Sequence, residues 1–210
     1  MAELDHLIFA SRDVDEGVRI IEDLTGARAV AGGPHVGLGT HNYLLTFDER
    51  TYFEIIGIDP SQPEPSRARP FGLDERDGPG LAGYAIHPTG GESLEDVVAM
   101  MTAAGYDPGT IADMSRAKPD GDVISWRLTT GGDSGEASQG ALPFAIDWGR
   151  QPSPAASLPS MGRLAALTVT HPDESTRAKA ASLGMATEVV AGPARLTASV
   201  ETANGVVEIS

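Results

Sequence analysis

The chain has 210 residues, 25 of them Gly and 15 Pro, and no Cys. That length buries a core without covalent staples, and the missing thiols exclude disulfides, thiolate zinc sites, iron–sulfur clusters and cysteine nucleophiles. Fifteen basic against 30 acidic residues leave a net charge of −15, which repels phosphate backbones and anionic lipid and argues against nucleic-acid and membrane partners.

A covalent nucleophile would have to be Ser, Thr, Asp, Glu or one of the two lysines, Lys118 and Lys179. No apolar run is long enough for a membrane-spanning helix. The opening MAELDHLIFA lacks the basic and long apolar regions of a secretory signal. The expected location is the cytoplasm.

Leu4 to Ala10 (LDHLIFA) reads as a buried strand. Asp13, three residues before Glu16, predicts a helix cap, Val14, Val18, Ile21 and Leu24 give the helical stripe, and Gly26 ends it. Strands are expected at residues 27–31, 40–47 and 51–58. The pattern returns with a strand at 81–87, a cap at Ser93, a helix closed by Gly105, and strands at 110–114, 123–129 and 142–148. It returns again with a strand at 163–170, a cap at Asp173, a helix closed by Gly184, and strand residues at Val189, 196–200 and 206–209. The caps 13, 93 and 173 and the terminators 26, 105 and 184 keep nearly equal spacing.

The expected fold is therefore α+β, built of three βαβββ modules at residues 1–58, 81–149 and 162–210. Residues 59–80, with five prolines, and the Pro, Ser and Ala-rich 150–160 read as connectors. Residues 131–140 (GGDSGEASQG) read as a polar hairpin loop or mobile flap. A third module leaves an odd sheet face to cover, so it is expected to pack on the first two or to pair with a second copy, and a homodimer is expected.

The stretches LDHLIFA, PHVGLGTHNYLL (34–45), YFEIIGIDP (52–60) and LPFAIDWG (142–149), in this order, resemble the vicinal oxygen chelate superfamily, and within it the bacterial glyoxalase-like domain proteins. The resemblance covers residues 3–150 well and the third module more loosely. It implies a curved eight-stranded mixed sheet from two modules, cupping a ligand site, with helices on the outer face. In metal-dependent members each module offers one ligand from its first strand and one from its fourth. His6 and Glu54 fall on those positions in the first module. Imidazole plus carboxylate suits Zn, Ni, Mn or Fe(II). Alternation places His6 with Leu4 and Ile8, and Glu54 with Tyr52 and Ile56. A carboxylate among such neighbours is costly unless paired, so each predicts the other's company.

The second module departs from the pattern. Gly83 to Ile86 offer no ligand type, His87 comes too late, and the fourth strand presents Ala145 or Asp147 according to register. The third module has Ala166 for the histidine and Glu208 for the carboxylate. His41 and Asn42, after the glycine-rich turn at 37–40, and Trp126, Asp147 and Trp148 are candidate substrate contacts, with Arg116 and Arg127 beside them. His35 reads as a solvated loop residue, and His87 and His171, each followed by Pro, as strand-end turns. No P-loop, nucleophile-elbow or dinucleotide fingerprint is present.

Two functions follow from the resemblance. One is a metal-assisted lyase, isomerase or dioxygenase acting on a small oxygenated molecule, with His6 and Glu54 as ligands and Glu54 also as base. The other is a metal-free protein that binds or sequesters a drug or metabolite on the same fold.

Overall fold

The computed structural model describes residues 1–117 and 121–210; Lys118 lies outside the described residues. Twelve strands and three α-helices are described, forming a mixed α+β architecture in which the helices lie outside a curled sheet.

The first run of elements is β1 (Ala2–Ala10), α1 (Val14–Thr25), β2 (Val30–His35), β3 (Thr40–Thr46) and β4 (Tyr52–Ile58). The second is β5 (Gly80–Pro88), α2 (Leu94–Ala103), β6 (Thr110–Ala117), β7 (Val123–Thr130) and β8 (Phe144–Asp147). Their strands form one sheet in the order β2-β3-β4-β1-β5-β8-β7-β6. β1 runs parallel to β4, β5 runs parallel to β8, and β1 and β5 meet antiparallel at the centre. The two halves therefore mirror each other across the β1–β5 seam.

Local chemistry accounts for the helix ends. Asp13 accepts from the backbone N–H groups of Asp15 and Glu16, and Asp173 from that of Thr176. A reciprocal capping box forms between Ser93 and Asp96. Gly26 and Gly184 close α1 and the third helix in the left-handed conformation.

The third run is β9 (Arg163–His171), α3 (Glu174–Leu183), β10 (Glu188–Ala191), β11 (Arg195–Thr202) and β12 (Gly205–Ile209). Its strands form a separate sheet in the order β10-β9-β11-β12. Here the first strand pairs in parallel with the strand directly after the helix, whereas β1 and β5 pair with the last strand of their own run. Leu167, Val169, Leu196, Ala198 and Val200 of this sheet share one core with Tyr84, Ile86, Leu94 and Met101.

Alternation along β1 divides the interior. Leu7 and Phe9 join Val14, Ile21, Phe53 and Ile55 on the helix side. Ile8 and Ala10 face the concave side, where Ile56, Ala82 and the fully buried Leu73 meet them. Leu73 belongs to the 59–80 connector, so this connector fills part of the cup. The 150–160 connector covers another part, placing Ala155 and Leu158 against Leu44, Tyr52 and Trp148.

Two readings of the sequence need correction. The strand expected at 27–31 occupies Val30–His35 instead. Gly and Pro in that stretch suggest a loop, but an edge strand tolerates both, and a register irregularity between Ala31 and Gly33 lets β2 continue along β3. His35 is consequently a strand residue with a side chain 11% exposed, not a solvated loop residue.

Candidate functional site

The concave face carries a line of buried polar groups. His6 on β1 is 2% exposed and Glu54 on β4 is 7% exposed. His6 Nε2 stands 3.5 Å from Glu54 Oε2. The His6 ring stacks on Tyr52 at 4.4 Å between centroids, with Phe144 edge-on at 5.6 Å.

Asp5 completes this pair, and a regular strand would not have allowed it. The β1–β5 register shifts between Leu4 and His6, leaving Asp5 as an extra residue in β1. Such a bulge brings consecutive side chains toward one face. Asp5 Oδ1 lies 2.7 Å from His6 Nδ1, while Asp5 Oδ2 accepts from Trp148 Nε1 at 3.1 Å. His87 Nδ1 is also 3.1 Å from Asp5 Oδ2, at ion-pair distance but outside hydrogen-bond alignment. Burial pushes the Asp5 carboxyl up, but the contacts from His6 and His87 outweigh it and hold the group below the ordinary 3.8.

On the other side of Glu54, Asn42 Nδ2 donates to Glu54 Oε1 at 2.7 Å and lies 3.4 Å from His35 Nε2. His35 Nε2 is itself 3.7 Å from Glu54 Oε1, so the Asn42 amide bridges the two. His35 Nδ1 is 3.0 Å from Thr40 Oγ1. Burial lowers the His35 pKa below 6.5 and the Arg116 charge adds to this, with the Glu54 charge opposing. A neutral ring with Nδ1–H on Thr40 and a lone pair toward Asn42 satisfies these contacts.

Arg116 on β6 supplies the cation. It is buried, its Nη1 donates to Gly32 O on β2, and its charge acts on Glu54 and Tyr52. Burial pushes its pKa down, with those two groups opposing.

Other predicted residues sit differently. His41 pairs in register with Gly57 and is one step out of phase with Asn42, so its ring turns away from Glu54 and lies 6.5 Å from Tyr43. Trp126 packs on Ala85, Ile146 and Trp148, its ring 5.4 Å from Trp148. Asp147 is out of phase with Ile146 and accepts from Gly149 N at 2.8 Å, capping a turn. Arg127 pairs with Glu95 of α2, not with Asp147. Arg116, expected beside the substrate contacts, does reach the polar line, whereas Asp5 and the inward face of His35 are functional candidates that sequence reasoning missed; only the proximity of Asp5 to His6 in sequence offered any signal.

An open depression of about 340 Å3 is lined by Trp126, Trp148, Met114 and Asp147. It touches the polar line at Trp148 and reaches neither His6 nor Glu54.

The fit of a metal follows from the donor set. Asp5 holds His6 Nδ1, so Nε2 is the nitrogen that faces Glu54 Oε2, at 3.5 Å. His35 adds no third donor there, because Asn42 stands between it and Glu54. Among the described residues no three His, Asp or Glu groups could hold a metal ion. The site therefore falls short of a complete metal centre.

The family model described as a glyoxalase-like domain matches residues 4–184. Among solved structures, a hypothetical protein from Staphylococcus aureus shares the fold with a TM-score of 0.63 at 14% identity, over 99% of this chain and 98% of that one. Methylmalonyl-CoA epimerase from Mycobacterium tuberculosis aligns over 69% of this chain and 85% of its own, at 16% identity and a TM-score of 0.42. The Streptomyces coelicolor enzyme of that name, in complex with 2-nitronate-propionyl-CoA, aligns over 69% and 95% at 15% identity and a TM-score of 0.44. No curated protein matches the chain.

Proposed function

The chain belongs to the glyoxalase-like domain family, and on that premise we propose that it is an isomerase- or lyase-type enzyme moving a proton between adjacent carbons of a small oxygenated molecule. One observation carries this reading: a buried carboxylate, Glu54, faces an imidazole, His6, whose opposite nitrogen is fixed by Asp5. Glu54 removes a proton from the carbon beside a carbonyl and returns it to the neighbouring carbon or the opposite face, so no oxidant or reductant is consumed. Asn42 holds the carboxylate through Oε1, leaving Oε2 toward His6. The buried Arg116 charge balances the negative charge that develops on the carbonyl oxygen. Trp126 and Trp148 provide an apolar wall in the depression beside the polar line.

The test is solvent deuterium incorporation into a panel of small 2-oxo and 2-hydroxy carbonyl compounds, followed by NMR. Exchange by the wild-type protein that falls about 10²–10⁴-fold in Glu54→Gln supports the reading. Equal exchange by both proteins, or none above buffer, overturns it.

A second reading keeps His6 and Glu54 as ligands of a divalent metal (Zn, Ni, Mn or Fe(II)). It is favoured by the 3.5 Å approach of His6 Nε2 to Glu54 Oε2, with the opposite ring nitrogen held by Asp5. Such an ion would act as a Lewis acid on a substrate oxygen. Metal analysis after reconstitution with each ion decides it: stoichiometric metal lost in His6→Ala supports the ligand pair, and no retained metal removes it.

The proposal also includes a homodimer, supported by the two sheet edges, β10 and β12, that this chain leaves unpaired and by the exposed Val206 on β12. A monomer mass in sedimentation at micromolar concentration excludes it.

A further inference from the structure

A second cavity, of about 420 Å3, opens between the 59–80 connector, β5 and the start of β11. That volume belongs to the range of small-molecule sites. It shares no lining residue with the polar line around Glu54, and two of its walls, Arg195 and Leu196, lie beyond the segment that matches the family.

Three properties of its lining point the same way. Phe71, Leu81 and Leu196 give an apolar wall. Arg76 and Arg195 bring two guanidinium groups, in a chain whose net charge is −15. Arg76 donates to three backbone carbonyls, Gly78 at 3.2 Å, Phe71 at 3.4 Å and Gly80 at 3.2 Å. Those contacts fix the fork and leave two of its five donors unspent. Burial lowers the Arg76 pKa. Arg195 reaches only the Ser210 hydroxyl among the described residues.

The backbone adds an independent mark. Phe71 (φ 61°) and Gln139 (φ 52°) are the non-glycine residues in left-handed conformation among those described, and both line this cavity. Strain of that kind persists where surrounding structure enforces it and gathers at ligand sites.

We propose that this cavity is a second ligand site, taking a small carboxylate with a compact apolar body. The carboxylate sits on the Arg76 and Arg195 forks, and the body lies against Phe71, Leu81 and Leu196.

The experiment uses the full-length, 15N-labelled protein titrated with benzoate, hexanoate and the neutral control benzamide. Saturable shifts at Phe71, Gly72, Leu81, Gln139 and Leu196 with either carboxylate, absent with benzamide, are expected. Arg195→Gln, at an exposed position, should weaken binding about tenfold, and Arg195→Glu should abolish it, with unchanged melting temperatures. Equal shifts with benzamide, wild-type affinity in Arg195→Glu, or no saturable shift with either carboxylate overturns the proposal. Shifts confined to His6, Glu54 and Trp148 also overturn it, while leaving the proton-transfer reading of that site intact.

Discussion

Asp5 Oδ1 lies 2.7 Å from His6 Nδ1, a contact between consecutive residues that regular strand alternation forbids. The extra residue in β1 creates it, and it decides which His6 nitrogen faces Glu54. Asp5→Asn keeps the shape and the Trp148 contact but no longer selects that tautomer. We expect the variant to fold normally and to lose about 10²-fold in solvent deuterium exchange, within the range that a positioned acid or base contributes. An unchanged exchange rate would remove Asp5 from the machinery.

His35 makes the fold sensitive to mild acid. Its folded pKa is below 6.5 through burial, reinforced by the Arg116 charge and opposed by Glu54. The unfolded chain therefore takes up a proton near pH 6.5 that the folded chain refuses, and stability rises with pH across that window. Lowering the pH from 7.5 through 6.5 should reduce the melting temperature progressively, and His35→Gln should flatten that slope. The depressed Asp5 adds a separate loss only below its unfolded value of 3.8. A parallel pH profile in His35→Gln would reassign the effect.

Gly32 is tested by adding one carbon. A Cβ there would stand 2.1 Å from Asn42 Oδ1, so Gly32→Ala must push Asn42 off Glu54 or shift β2. We expect a destabilisation of about 1–3 kcal/mol, the usual cost of overpacking, together with a fall in exchange activity. Denaturant melts with an unchanged midpoint, together with unchanged activity, would show that Asn42 moves freely.

Leu73 plugs the concave face from the connector. It is fully buried against Ile8, Ile56 and Ala82, so Leu73→Ala should cost about 2–5 kcal/mol in chemical denaturation. A cost under 1 kcal/mol would mean the connector is only loosely seated.

Much of this architecture can be read from the chain because local rules and the fold agree. The caps at 13, 93 and 173 mark three helices whose side chains do cap backbone N–H groups. Period-two alternation brings His6, Asn42 and Glu54 to one face. The same alternation turns His41 and Asp147 away, a consequence that their polar character obscures. Asp5 escapes because nothing in AELDHLIFA announces a bulge. His35 escapes because Gly and Pro suggest a loop where an edge strand accepts them. Arg116 is legible as a pocket residue, but its partner is not, because Gly32 O is 84 residues distant.

That last contact has a consequence for how the family fold diversifies. Arg116 joins β6 to β2, the two outermost strands of the eight-stranded sheet, and so fastens the half-barrel across its open side. The remaining cover over the concave face comes from residues 59–80 and 150–160, whose Leu73, Ala155 and Leu158 pack on that side. On the proposed proton-transfer reading, exchanging these linkers between relatives should therefore change substrate preference while the strands stay fixed.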